Sequence, residues 1–150
     1  MTTTLETDRL ADLVTARLQM LELLAQLAGR QLSLVRDGQM SDLMKLLAAK
    51  QTVLNQLQQV EKLLDPFRQQ DPERRVWRSD ADRRRCQAAA TRCDELLTAT
   101  MDLERQGEAH MLIRRDAAAS ALAGMHAAAA ASAAYAAGHA TPATHVECEG

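Results

Sequence analysis

The chain has 150 residues, a formal net charge of -2, and only one Trp, one Tyr and one Phe. A net charge this close to zero gives no general attraction to nucleic acid or anionic lipid. With so few aromatic rings there is little material for a base-stacking surface or an aromatic-lined pocket, whereas Leu and Ala suit the seams of helical bundles. We therefore expect an all-α protein, a three-helix coiled-coil bundle.

The first predicted helix covers residues 6–36, where apolar residues recur with helical periodicity. A second apolar stripe runs beside the first, so the helix should contact two neighbours or a partner chain. Gly38 should end it, because glycine readily adopts the left-handed conformation that follows many helices. The first stripe is Leu10, Val14, Leu18, Leu21, Ala25, Ala28, Leu32 and Val35, and the second is Leu13, Met20, Leu24, Leu27 and Leu34.

The second predicted helix covers residues 41–65, with Ser41 as its N-cap. The connection to the first helix has only about four residues, so the two helices should form an antiparallel hairpin over residues 6–65. The predicted seam of this helix consists of Leu46, Ala49, Val53, Leu57, Val60 and Leu64.

A loop is predicted for residues 66–79, because Pro66 and Pro72 remove backbone donors and disfavour helix in the residue before them. Phe67 and Trp77 should tuck against one end of the hairpin. The loop and its flank are rich in arginine, which is compatible with either a phosphate-binding patch or a salt-bridged, solvated surface. Interleaved carboxylates favour the second reading. The arginines are Arg74, Arg75, Arg78, Arg83, Arg84 and Arg85, and the carboxylates are Asp71, Glu73, Asp80 and Asp82.

The third predicted helix, residues 80–137, begins at an Asp80 or Asp82 cap and is much longer than the other two. It would run roughly 80 Å, against about 46 and 38 Å for the first two. Beyond Arg115 it is mostly alanine, which has the highest helix propensity but little apolar surface to bury. We expect one domain over residues 1–138 and a disordered tail over residues 139–150. The predicted seam is Cys86, Ala90, Cys93, Leu96, Thr100, Leu103, Gly107, His110, Ile113, Ala117 and Ala121.

No set of residues in the sequence assembles an active site, so we expect a protein that is not an enzyme and that needs no cofactor. Cys86 and Cys93 share a helix face but lack the closely paired spacing of metal ligands, and we interpret them as free, structural thiols. His139, His145 and Cys148 in the tail are weak candidates for metal ligands. The start of the chain lacks a basic and an apolar signal region, and the alanine tract is too weakly apolar for stable insertion into a membrane. These features predict a cytoplasmic location and no membrane insertion.

Residues 31–57 contain the end of a leucine-rich helix, a short turn with Gly38, and then Leu46, Leu47, two alanines, Lys50 and Gln51. This pattern resembles the hairpin of FlgN-like flagellar export chaperones. The long third helix with a weakly packed end is also similar to that family. The resemblance implies a cytosolic helical protein whose C-terminal helix holds hook-filament junction proteins and which delivers them to the flagellar type III export gate. The high alanine content after Asp116 departs from the family.

The exposed end of the third helix is the predicted binding element, because a client helix could supply the large side chains that an alanine-rich face lacks. Three readings remain open at this point. The chain could be an export chaperone that binds flagellar hook-associated proteins, with the Tyr135 region contacting the client or the export gate. It could instead be a homo-oligomeric coiled-coil adaptor or homodimer, or a nucleic-acid binder acting through its arginines. The predicted client-binding residues are Met111, Ile113, Leu122, Met125 and Tyr135.

Overall fold

The computed structural model describes the backbone of residues 3–140 and the side chains of residues 3–138. Helix α1 covers Glu6–Asp37, α2 covers Met40–Arg68, and α3 covers Asp80–Ala140. A 3-10 turn at Pro72–Arg74 lies between α2 and α3, and the described residues contain no strand. The all-α prediction, with a helical hairpin and a long third helix, is confirmed. The predicted disordered tail lies outside the described residues, except for the backbone of residues 139 and 140, which is helical.

The chain divides into two compact units, Met1–His110 and Met111–Gly150. The first unit contains α1, α2 and the part of α3 that ends at His110, and the second contains the rest of α3. The boundary falls inside the segment that the sequence assigns to a single domain. Each unit is therefore described by itself.

The core of the first unit is made where all three helices meet. Leu21 and Leu24 of α1, Val53 of α2, and Cys93 and Leu96 of α3 form one buried cluster. At 25 cal/mol per Å², burying a side chain such as leucine contributes about 1.5–3 kcal/mol, so these residues hold the helices together. A second buried cluster, nearer the start of α1, consists of Leu10, Val14, Leu64 and Phe67, with Trp77 packed against it.

Glycine at position 38 makes the tight turn between α1 and α2. Gly38 has φ 70°, in the left-handed region, and its N–H donates to the carbonyl of Val35 at 3.2 Å. The N–H of Gln39 donates to the carbonyl of Leu34 at 2.9 Å, which completes a Schellman-type ending. The predicted Ser41 cap is wrong: α2 begins at Met40, with Gln39 in the cap position and no side-chain cap bond. The turn geometry, rather than a hydroxyl cap, sets this helix start.

The predicted loop at residues 66–79 begins too early, because α2 runs through Pro66 and ends at Arg68. Proline in the last turn costs one backbone bond, but Phe67 is buried among Leu10, Val14 and Leu64. Arg68 further ties this turn to Asp65 at 2.8 Å and to Glu61. Burial and ion pairing therefore outweigh the local preference of proline to end a helix. The expectation that Phe67 and Trp77 pack against one end of the hairpin is confirmed, although Phe67 is helical.

The connection to α3 is fixed to α1 by side-chain bonds. The hydroxyl of Thr7 donates to the carbonyl of Val76 at 2.6 Å, and Arg78 pairs with Asp8 at 2.6 Å. The helix that follows is capped by Ser79, whose Oγ accepts from the N–H of Asp82 at 3.1 Å. The prediction of Asp80 or Asp82 as the N-cap is therefore wrong, because the cap is Ser79, the residue before Asp80. Both aspartates lie in the first turn of α3, where the positive end of the helix dipole stabilises a carboxylate.

Ion pairs and hydrogen bonds between side chains join the helices at two positions along the hairpin. Near the α1–α2 turn, Lys50 pairs with Glu104 of α3 and donates to Gln31 of α1 at 3.1 Å. Farther along, Glu61 of α2 accepts from Arg17 Nε of α1 at 2.5 Å and also pairs with Arg68. Burial alone would raise the pKa of Glu61, but the hydrogen bonds from the two arginines outweigh it and lower the pKa below its usual 4.5.

The seam predicted for α3 is correct up to His110 and wrong beyond it. Cys93, Leu96, Thr100 and Gly107 are buried, and His110 is half-buried. Ile113, Ala117 and Ala121 are exposed, as is every residue from 111 to 138, whichever side of the helix it lies on. In α2 the predicted seam residue Ala49 is exposed, whereas Leu43, which the pattern left out, is buried.

Replacing Leu21, which is 1% exposed in the three-helix core, should test how much that core contributes. Leu21→Ala should lower the free energy of unfolding by about 3 kcal/mol, measured by urea denaturation, because it leaves a cavity between three helices. Leu23→Ala is the matched control, since Leu23 lies two residues away and is 39% exposed, and should change stability by less than about 1 kcal/mol. Equal losses from the two changes would contradict the packing described.

The lowered pKa of Glu61 predicts a pH-dependent contribution to stability. A carboxyl whose pKa is lower in the folded state stabilises the fold above its unfolded pKa, and this contribution is lost as the pH falls through the folded pKa. Glu61→Gln should therefore cost about 1 kcal/mol at pH 6–7, and the difference from the native chain should shrink as the pH falls below about 4.5. Glu22→Gln, at an exposed carboxylate of α1, is the control, and a difference for Glu61→Gln that stays constant with pH would refute the prediction.

Candidate partner-binding surface on the third helix

The described part of the second unit, residues 111–138, exposes its side chains. Every residue from 111 to 138 is exposed, although all of them lie within helix α3. Half of them are alanines, whose high helix propensity sustains a helix with little packing. The large apolar side chains that remain are therefore presented to solvent on a regular scaffold.

All five predicted client-binding residues are exposed. Met125 and Tyr135 show the most surface, at 69% and 71%, and Met111, Ile113 and Leu122 are also exposed. The competing interpretation, that Met111 and Ile113 are internal seam residues, is not supported by this exposure. The functional role of the five stays a prediction.

The five residues do not share one face of the helix. At about 100° per residue, Met111, Leu122 and Met125 fall within an arc of roughly 60°. Ile113 lies about 180° from Leu122, and Tyr135 lies about 80° from Met125 on the side toward Ile113. We call Met111, Leu122 and Met125 the methionine stripe. A single client helix lying along it would not contact Ile113.

A further exposed apolar stripe lies on α2, in the first unit, and the sequence reasoning missed it. Met40, Met44, Leu47 and Leu54 are all exposed and fall within an arc of about 80°. Their spacing of four, three and seven residues is the helical signal that could have identified them. The buried seam of α2 lies on the adjacent face, so this helix carries a wider apolar arc than one neighbour needs.

The arginines around Trp77 are paired with carboxylates or with a carbonyl, and the predicted salt-bridged surface is confirmed. The group NH2 of Arg75 donates to the carbonyl of Phe67 at 2.6 Å. Arg78 pairs with Asp8, which lowers the pKa of that carboxyl, mainly through the hydrogen bond from Arg78. The other pairs are Arg74 with Asp71, Arg83 and Arg84 with Asp80, and Arg85 with Asp82. These contacts offset the positive charge that a phosphate backbone would require.

Open grooves adjoin this arginine-rich connection, and Arg75 lines two of them. One, of about 470 Å³, lies between the start of α1 and residues 67–76, and the other, of about 370 Å³, lies beside Trp77 and Cys86. Arg75 lines both grooves, and its Nε is buried without a hydrogen-bond partner among the described residues. Cys86 and Glu73 both line the second groove. Burial raises the pKa of the Cys86 thiol, which disfavours the thiolate that a nucleophile requires.

The two cysteines of the described residues are free thiols. Cys93 is fully buried, with its Sγ 4.0 Å from the carbonyl of Val14, and Cys86 is half-buried beside Trp77. Burial raises the pKa of both thiols, which lowers their reactivity. Within the part of the chain that the structure describes, no three His, Cys, Asp or Glu residues are grouped to hold a metal ion. The side chain of His139, together with His145 and Cys148, lies outside the described residues.

By length and composition α3 contains one segment apolar enough to cross a membrane, with a mean hydropathy of 1.2 over 18 residues and none of that window buried. The hydropathy comes from alanine rather than from leucine, isoleucine or phenylalanine. Alanine contributes much less to membrane insertion than those larger residues. The prediction of no membrane insertion remains a prediction.

Comparison with known proteins gave no match to a family model, to a curated protein or to a solved structure. The geometry of the exposed part of α3 is therefore the main ground for a functional proposal.

The burial of the thiols predicts an order of chemical reactivity. In a Cys148→Ser chain, a maleimide reagent should modify Cys86 slowly and Cys93 only as fast as the protein unfolds, because Cys93 is 0% exposed. Replacing each cysteine with Ala should cost about 1–2 kcal/mol of stability. Modification of Cys93 at the rate of a free thiol, or loss of a stoichiometric metal ion from either alanine variant, would contradict the structural role.

Proposed function

We propose that this chain is a cytosolic export chaperone that holds hook-filament junction proteins of the flagellum and delivers them to the flagellar type III export apparatus. The second unit binds the client, through the methionine stripe on α3. The first unit serves as the folded body of the chaperone.

The observation that carries the proposal is the exposure of every residue from 111 to 138 on a regular helix. The first unit has its own buried core, made by α1, α2 and the early part of α3, and it does not use these residues. Monomeric soluble proteins rarely leave contiguous apolar surface uncovered without an interaction to explain it. A helix held mainly by alanine propensity is suited to bind a partner that supplies the missing contacts.

The chemistry of the stripe indicates what kind of client segment it would take. Met111 and Met125 are flexible and polarisable, and methionine surfaces adapt to varied apolar partners. Alanines between them allow close approach of a second helix. The matching client segment is therefore an amphipathic helix with large aliphatic or aromatic residues at positions i, i+3, i+4 and i+7.

The hairpin resemblance gives the proposal its biological setting. The residues that resemble the FlgN-like family, 31–57, span the end of α1, the Gly38 turn and the first half of α2. In that family the C-terminal helix is the client-binding element, and the corresponding part of this chain is the exposed end of α3. The resemblance and the exposure thus support the same assignment from different parts of the chain.

The proposal predicts that three substitutions abolish client binding without unfolding the hairpin. Changing Met111, Leu122 and Met125 together to Ser should reduce co-purification of hook-associated proteins by at least about tenfold, since each change removes apolar contact area. Ile113→Ser combined with Tyr135→Ser is the matched control on the other side of the helix and should retain binding. The melting transition of the first unit should stay nearly unchanged in both. Equal binding by the stripe variant and the native chain would refute the role of the stripe.

Hydrogen exchange provides the second arm of the same test. At low protein concentration the amides of residues 111–138 should exchange fast in the free chain, because few tertiary contacts protect them, and slowly in the client complex. The amides of α1 and α2 should change little. Strong protection of residues 111–138 in the free, dilute chain would mean that this helix already has a partner within the monomer.

A further inference from the structure

Arg75 differs from the other arginines at positions 74–85, because the described residues give it no carboxylate partner. Each of the others pairs with an aspartate. Arg75 makes a single hydrogen bond in this part of the chain, from Nη2 to the carbonyl of Phe67 at 2.6 Å. A guanidinium carries five N–H donors and stays positively charged. Four donors and the full charge of Arg75 are therefore unmatched.

The unmatched charge is held in place rather than free to turn into solvent. The side chain of Arg75 is half-buried, its Nε is buried, and the bond to Phe67 fixes the guanidinium at the end of α2. Charged groups withdrawn from water are normally paired with an opposite charge. Within the described residues Nη1 has no partner either, but it keeps contact with solvent. An anion in an adjoining groove can therefore reach Arg75 through Nη1.

The second groove, of about 370 Å³ beside Trp77 and Cys86, is the one whose lining suits an anion. Its charged residues are Arg75 and Arg83 against a single carboxylate, Glu73. The first groove, by contrast, has as many carboxylates as arginines. The volume of the second groove falls within the roughly 300–1,000 Å³ of pockets that bind small molecules. Its apolar side chains include Leu10, Val14, Trp77 and Ala90.

We propose that the second groove binds a small monocarboxylate with an apolar body, its carboxylate on the guanidinium of Arg75 and its hydrocarbon part against Trp77. A planar carboxylate can accept parallel N–H bonds from a guanidinium, which makes this pairing stronger than a neutral hydrogen bond. The apolar lining then favours a hydrocarbon body over a bare anion, because burial of apolar surface adds to the binding free energy.

The number of charges in the groove selects a singly charged ligand. Arg83 is already held by Asp80 at 2.8 Å, so Arg75 alone supplies an unmatched positive charge. A phosphate monoester would bring a second negative charge close to Glu73, and no further cation would balance it. A monocarboxylate matches the single charge. All residues of the groove lie in the first unit, so the inference does not rest on the proposed function of residues 111–138.

The chain's single tryptophan lines the groove and therefore reports on its occupancy. Octanoate titrated into the full chain should change the fluorescence of Trp77 saturably. Acetate, which lacks the apolar body, and octanol, which lacks the charge, should each bind at least about tenfold more weakly. Absence of a saturable change with octanoate would overturn the proposal, as would binding of inorganic phosphate as tight as that of octanoate.

Two substitutions with the same change in net charge separate a specific contact from general attraction. Arg75→Gln should weaken octanoate binding at least about tenfold, because the carboxylate loses its charged partner. Arg74→Gln is the matched control, since the side chain of Arg74 is 89% exposed and pairs with Asp71, and should change the affinity less than about twofold. Equal losses from the two substitutions would refute a contact with Arg75.

Glu73→Gln tests the charge of the groove without altering the bond between Arg75 and Phe67. It removes the single carboxylate of the lining and should tighten octanoate binding by about twofold or more. This variant keeps the test decisive even if Arg75→Gln lowers stability, which circular dichroism and the melting transition of each variant would reveal. Weaker binding by Glu73→Gln would contradict an anion site at this position.

The thiol of Cys86 provides a second measurement, independent of fluorescence. Burial raises the pKa of this thiol, and the charge of Arg75 opposes the rise. A carboxylate on Arg75 would cancel that charge, and its apolar body would cover the thiol. Saturating octanoate should therefore slow maleimide modification of Cys86 in a Cys148→Ser chain by at least about threefold, whereas acetate at the same concentration should not. An unchanged rate with octanoate would show that the groove is empty.

Discussion

The structure depends on the burial of one side of the early α3 helix against the α1–α2 hairpin. Cys93 and Leu96 enter the space between Leu21, Leu24 and Val53, and this three-sided contact is what a two-helix hairpin alone cannot provide. Lys50 and Glu104 then join α2 to α3 at a second level. Since an isolated hairpin has little apolar surface to bury, the stability of the first unit rests on this third helix.

The same helix has two different physical roles along its length. Before His110 one side of the helix is buried in the core, at Cys93, Leu96 and Thr100, whereas every residue from 111 to 138 is exposed. Alanine allows the exposed part to stay helical, because its high helix propensity maintains the helix without burial of side chains. A regular scaffold can then present Met111, Leu122 and Met125 on one side, and Ile113, Gly124 and Tyr135 on the other.

The arginine-rich connection shows that a cluster of arginines in the sequence need not form a free positive surface. From the sequence alone, six arginines near a tryptophan are compatible with a phosphate-binding surface. In the structure Arg78 is paired with Asp8 of α1, and Arg83 and Arg84 share Asp80. The group therefore fixes the connection to the first helix and places ion pairs along the first turns of α3. Such exposed pairs contribute little stability individually, but together they define the path of the chain.

The sequence by itself determined the helical class, the hairpin, the Gly38 turn and the exposed alanine-rich end, because periodicity, glycine conformation and alanine propensity are local properties. Only the tertiary structure decided that α2 continues through Pro66, since the buried Phe67 outweighs a local preference. It also decided where the buried seam of α3 stops, because a seam residue is buried only where other helices pack against it. The five predicted binding residues are all exposed, but their division between two faces required the helical register, because a difference of two residues rotates a side chain by about 200°.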